Sequence, residues 1–284
     1  MNVYLKMNEA APGPRTSEQT QHTIAVIGSP EAGKSTLVKA MLAASDAAAS
    51  TGEPRNARRI RTRQTDSFSA DGTREDATDT DARGFEYRGS FMSIVQSAQS
   101  PFSHEPQHAL NGAGTAVILI DASKGLDPQS VSLYEACRQG RIPLVTLINK
   151  WDRHGKTSLG LLDEILQQTG MTPTPLNWPV GGAGHLRAMI DLTEADHVDD
   201  HQYGGAATDL GRVATARIYG HDWDIAADQL RALDAEHRTY VRSEFLAGIA
   251  TPVMFGSALR GVGVSQLLDF IVDEATEVAA VAGA

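Results

Sequence analysis

The sequence predicts an α/β fold: a mostly parallel sheet with helices on both faces and a small inserted subdomain. Three observations carry this. Short, continuously apolar runs alternate with amphipathic stretches of helical period, the pattern of strands buried on both faces and crossed over by helices. The first such run ends in a glycine-rich turn that opens directly into a helix. Residues 171–222, rich in Gly, Pro and His, then interrupt the rhythm and are expected to form the insertion. In order, "TIAVIG" is a strand stopped by glycine, and "KSTLVKAMLAAS" a helix with Ser and Thr at its start. "EYRGSFMSIVQSA" reads as one strand. "TAVILID" (115–121) and "IPLVTLI" (142–148) are buried strands, each followed by a helix, "PQSVSLYEACRQG" and "LGLLDEILQQT". "DIAADQLRALDAEHRTYVRSEFLAG" carries one long helical pattern, "TPVMFG" is the last strand and "GVSQLLDFIVDEATEV" the closing helix. The expected boundaries are a flexible leader at 1–22, one domain at 23–275 and a tail at 276–284.

Composition narrows the function classes. A chain of 284 residues, 41% hydrophobic and 21% charged, has enough apolar material for a core. Its formal net charge of −10 argues against coating nucleic acid, a mode that runs on phosphate neutralisation, and no sequence-specific DNA binding is expected. Docking on a particular RNA–protein surface stays open. The single cysteine, Cys137, offers no disulfide framework and reads as a small buried hydrophobe. No apolar run approaches membrane-spanning length and the first residues lack an apolar signal core, so a cytoplasmic protein without membrane contact is expected. The basic "RNARRIRTR" and the acidic "DGTREDATDTD" after it read as a solvated, mobile segment rather than an RNA-binding stripe.

The chemistry concentrates in three short stretches. "GSPEAGKST", Gly28, Ser29, Pro30, Glu31, Ala32, Gly33, Lys34, Ser35 and Thr36, fits the phosphate-loop pattern G-x-x-x-x-G-K-[ST] between a strand and a helix. Its glycines let the backbone curl round a phosphate, and its N–H groups and the helix N-terminus face the negative charge. Lys34 would reach the β- and γ-phosphates and Ser35 would ligate Mg²⁺. "NKWD", with Asn149, Lys150 and Asp152 at a strand end, argues for guanine. Its carboxylate can accept from the ring N–H and exocyclic amine of guanine, donors that adenine lacks at those positions. Lys150 would lie along the base, and Asn149 would tie this loop to the phosphate loop. In "FGSAL", the backbone of Ser257, Ala258 and Leu259 could donate to the guanine carbonyl. All three stretches follow strand ends, where ligands of open α/β sheets bind.

"ILIDASKGLDPQ", "LINKWDR", "PTPLNWPVGGAGHLRAMIDL" and "ATPVMFGSALRGVGVSQLLDFIVD" resemble the G domain of translational GTPases, with "NWPVG" and "TPVMFGSAL" nearer to the release-factor-three branch than to elongation factor G. The resemblance runs from about residue 22 to 275. It implies a phosphate-loop GTPase fold with an inserted subdomain, GTP and GDP as ligands with Mg²⁺, docking on the ribosome, and hydrolysis in which Lys34 and the metal stabilise charge while a histidine positions water. Against the family pattern, "RGFEY" puts Glu86 at the first switch, where a hydroxyl residue is expected. In "QSPFSHE", Gln99 stands for the second switch's aspartate, Phe102 for its glycine, and His104 comes one residue late. Binding is therefore expected to survive better than hydrolysis, and a binding module without turnover is the alternative. An ATP-using enzyme is a further alternative, which "NKWD" opposes.

No metal beyond Mg²⁺ is expected. "HEPQH" (104–108) matches H-E-x-x-H, but Pro106 breaks the helix that zinc chemistry needs. "HVDDH" (197–201) reads as a solvated loop. Asp121 reads as a strand-end cap rather than a metal ligand.

Overall fold

The computed structural model describes residues 21–50, 81–96, 110, 112–193, 198–200, 208–209, 211–236 and 238–275. The leader, the arginine run, Gln99, Phe102, His104, His108 and the tail lie outside them. Seven strands form the main sheet: β1 (Gln21–Gly28), β2 (Asp81–Tyr87), β3 (Ser90–Gln96), β4 (Thr115–Asp121), β5 (Leu144–Asn149), β6 (Thr172–Pro175) and β11 (Ala250–Phe255), in the order β2-β3-β1-β4-β5-β11-β6. All neighbours are parallel except β2 and β3. Four short antiparallel strands, β7 (Asn177–Val180), β8 (Ala188–Asp191), β9 (Val198–Asp200) and β10 (Thr208–Asp209), make a second sheet. The helices are α1 (Lys34–Ser50), α2 (Pro128–Gln139), α3 (Ser158–Thr169), α4 (Gly211–Tyr219), α5 (His221–Ala235), α6 (Arg242–Leu246) and α7 (Val264–Ala275).

Alternation along the central strands explains the two helical layers. In β4 every residue is buried: Ala116, Ile118 and Ile120 pack with Leu133, Cys137, Leu161 and Ile165 of α2 and α3, while Val117 and Leu119 pack with Leu37, Met41, Leu267 and Ile271 of α1 and α7. A strand read as continuously apolar is thus one whose two faces meet two separate cores. Cys137 is buried in the first, and burial pushes its thiol up to about 12.

Three elements differ from the sequence reading, each for a local reason. "EYRGSFMSIVQSA" is not one strand but the second half of a hairpin. Arg88 (φ 46°) and Gly89 (φ 77°) both adopt the left-handed conformation that a two-residue turn between twisted strands requires, and Tyr87 pairs with Ser90 across it. The long helical pattern breaks after α5, because Leu233 belongs to one core and Phe245 of α6 to the other, on the opposite face of the sheet. Arg238, between them, pairs with Asp163 at 3.1 Å and Glu236 at 2.8 Å. Within the stretch expected as an insertion, Thr172–Pro175 forms the edge strand of the main sheet.

Candidate functional site

The sheet order brings three loops to the carboxyl ends of β1, β5 and β11. The first is the phosphate loop, and its geometry demands glycine at both ends. Gly28 sits at φ 145°, where a Cβ would stand 2.8 Å from the Leu119 carbonyl oxygen. Gly33 sits at φ 105°, where a Cβ would stand 2.4 Å from Asn149 Nδ2. Lys34, 5% exposed, folds back over the loop and donates to the carbonyl oxygens of Gly28 (2.7 Å) and Ser29 (3.1 Å). Burial lowers its pKa from the ordinary lysine value, a cost that a phosphate beside it would offset. Ser29 donates to Asp127 Oδ1 at 2.7 Å. Pro30 and Glu31 lie exposed at the loop's outer turn, and Ala32 is buried beneath it.

Asn149, 2% exposed, joins the loops. Its Nδ2 donates to the Ala32 carbonyl oxygen at 2.8 Å, and its Oδ1 accepts from the Ala258 N–H at 2.9 Å. One buried amide thereby connects all three expected segments. Asp152 accepts from the Ser257 hydroxyl at 2.5 Å, so the loop after β11 orients the carboxylate assigned to the base. Lys150, in the left-handed conformation (φ 65°), donates to Asp121 Oδ2 at 2.8 Å. Gly33, Thr36, Asn149, Asp152, Ser257 and Leu259 share the wall of a cleft of about 110 Å³. A larger cleft of about 950 Å³ runs past Arg88, Asp191, Arg238 and Tyr240 and touches none of these loops, so volume does not mark this site.

Several supporting residues went unread in the sequence. Asp121 is more than a strand-end cap: it accepts from the Ser123 N–H and hydroxyl and holds Lys150. Burial alone would raise its carboxyl, but Lys150 and the Ser123 donors outweigh that and hold it below the usual range. Asp127 caps α2, accepting from Ser130 N–H at 2.7 Å, and its carboxyl is also lowered: burial opposes, while the donors from Ser29 and Ser130 prevail. The Asp-Pro pair opening a helix was its available signal. Asn177 grips both backbone groups of Phe255, just before "GSAL", with Oδ1 accepting at 2.7 Å and Nδ2 donating at 3.1 Å. Nothing in the spacing of "NWPVG" announces that contact.

The first switch assignment needs correction, while the residues read as the second switch, Gln99 (the counterpart of its aspartate), Phe102 and His104, lie outside the described ones. Glu86 is not beside the phosphate loop. It pairs with Phe91 near the hairpin turn, and its carbonyl oxygen accepts from Ser45, ten residues along α1 from Ser35. The residue at the phosphate end of β3 is Gln96, whose Nε2 donates to Ser35 Oγ at 2.8 Å. Ser35 is the one predicted metal ligand, and the side chain from β3 that meets it is a neutral carboxamide. Among the described residues, that pair does not supply the hard and preferably anionic oxygens that Mg²⁺ takes. Among the described residues no group of three or more His, Cys, Asp or Glu could hold a metal ion, and no helix is long and apolar enough to cross a membrane.

Known proteins resemble this chain in sequence and in fold. The chain is 29% identical over 263 residues to peptide chain release factor 3 of Nitrosomonas eutropha, 89% of this chain and 49% of that protein. It is 31% identical to the proteins of that name from Symbiobacterium thermophilum (88% and 49%) and Listeria innocua (89% and 50%). It spans about half the length of these curated relatives. The crystal structure of ttk003000868 from Thermus thermophilus superposes with a TM-score of 0.61 at 19% identity, over 89% of this chain and 40% of that one, a likeness of fold. The elongation factor Tu GTP binding domain matches residues 19–277, and with the phosphate loop, Asn149 and Asp152 gathered at the carboxyl ends of the strands, the chain belongs to that family of GTP-binding domains.

Proposed function

We propose that this chain binds GTP and GDP as the G domain of a release-factor-type translational GTPase acting at the ribosome, a cytoplasmic role. One observation carries the reading: Asn149 hydrogen-bonds at once to the phosphate loop and to the loop after β11, with Asp152 oriented by Ser257. Phosphates are received by the loop N–H groups and by Lys34, which exchanges the Gly28 and Ser29 carbonyl oxygens for phosphate oxygens. The base is read by Asp152, with the Ser257–Leu259 backbone at its carbonyl and Lys150, anchored by Asp121, along its face. If GTP is hydrolysed, Lys34 stabilises the charge that develops as the γ-phosphoryl group leaves. His104 remains the proposed residue for orienting water. A calorimetric titration with GDP, a non-hydrolysable GTP analogue and ATP tests the binding claim. Guanine nucleotides should bind and ATP should not, and equal binding of ATP would sink the assignment. Co-sedimentation with ribosomes tests the partner.

The alternative, a nucleotide-binding module with little turnover, is favoured by Gln96 at the Ser35 hydroxyl. Ribosome-stimulated phosphate release separates the two readings.

A further inference from the structure

The Ser35–Gln96 contact bears on how the nucleotide is held. β3 runs parallel to β1 with Gln96 opposite Val26, two residues before the phosphate loop begins. The last side chain of β3 therefore reaches the first turn of α1, where its carboxamide donates to Ser35 Oγ at 2.8 Å. A hydroxyl that accepts this bond has a lone pair engaged that a cation would otherwise meet. Turning the amide so that its oxygen faces Ser35 still pairs the two side chains with each other, since the hydroxyl then donates. In neither orientation does Gln96 bring the negative charge that draws a small, reluctantly dehydrated dication. Meanwhile the groups that bind phosphate without metal are intact: the loop N–H groups, and a buried Lys34 whose two partners are carbonyl oxygens of its own loop.

We infer that Gln96 makes guanine-nucleotide binding by this chain largely independent of Mg²⁺, with Lys34 and the loop amides carrying the phosphates alone. A triphosphate then gains no more from the metal than a diphosphate does. The inference rests on the guanine-nucleotide reading above and specifies its cofactor requirement.

The experiment is calorimetry on the full chain with GDP and a non-hydrolysable GTP analogue, in magnesium chloride and again in EDTA. For the natural chain the two media should agree within about threefold for both ligands. Gln96→Asp, checked for folding by its thermal transition, should acquire at least about a tenfold preference for the magnesium medium with the triphosphate analogue. A tenfold or greater loss in EDTA for the natural chain overturns the inference. A folded Gln96→Asp chain that binds equally in both media overturns the role given to Gln96. No guanine-nucleotide binding in either medium overturns the nucleotide reading as well, and that outcome is distinct from binding that merely needs the metal.

Discussion

Replacing Asn149 by alanine should loosen three loops at once. Its side chain is 2% exposed and makes two buried hydrogen bonds, to the Ala32 carbonyl oxygen and from the Ala258 N–H. Ala32 and Ala258 are each 3% exposed, so water has poor access to the peptide groups left behind. Each orphaned group costs about 1–3 kcal/mol, so the two together cost roughly 2–6 kcal/mol before the loops relax. Relaxation is limited on the phosphate-loop side, where Gly33 packs so close that a Cβ there would lie 2.4 Å from Nδ2. Urea denaturation should therefore show a loss of about 2–4 kcal/mol as a lower midpoint at unchanged slope. Calorimetry should show GDP binding at least about tenfold weaker, because Ser257 and Asp152 lose their fixed relation to the phosphate loop. Asn149→Asp keeps the acceptor for Ala258 but sets a buried carboxylate oxygen against the Ala32 carbonyl oxygen, so it should cost at least as much as the alanine. A stability change below about 0.5 kcal/mol with GDP affinity intact would refute the view that this amide holds the site together.

Asp152→Asn exchanges a two-lone-pair acceptor for a group that presents a donor to guanine's own donors. GDP affinity should drop by about 100-fold or more with little change in melting temperature, and unaltered GDP binding would remove Asp152 from base recognition. Gly33→Ala forces a side chain into the left-handed region and against Asn149. The variant should lose about 2 kcal/mol or more in urea denaturation, and a neutral result would contradict the loop geometry. Asp127→Asn should flatten the acid limb of the stability curve. The folded carboxyl sits below its unfolded value, so its contribution is present above the ordinary aspartate pKa of about 3.9 and is lost as pH falls through the lower folded value. Thermal melts stepped down from pH 6 should show the natural chain losing more stability than the variant across that window, and parallel curves would refute the assignment.

The fold class was legible because burial on both faces leaves its mark on the strand itself. "TAVILID" and "IPLVTLI" contain almost nothing polar, and each central strand could be named from that alone. The nucleotide loops were equally plain, since a phosphate loop requires glycine at set positions and a guanine reader requires a carboxylate, whatever surrounds them. β6 was not legible. Its sequence, Thr-Pro-Thr-Pro, reads as a break, yet the N–H groups of Thr172 and Leu176 donate to Ile249 and Val253, so alternate N–H positions face β11. Pro173 and Pro175 fall at the positions between, on the open edge of the sheet, where a missing N–H forfeits no ladder bond. The hairpin at Arg88–Gly89 was hidden because a non-glycine residue takes the left-handed conformation there, with its guanidinium held to Asp269 at 2.9 Å. The Glu86 assignment to the first switch failed for a related reason. Motif matching counts residues along the chain, whereas proximity to Ser35 is set by where β3 ends against β1, which puts Gln96 there and leaves Glu86 at the far end of its strand. The sequence by itself determined which chemistry the loops can perform, because that depends on side-chain type and local backbone freedom. Only the tertiary structure decided which side chains meet Ser35, Asn149 and Asp152, because those partners are set by strand register between segments distant in the chain.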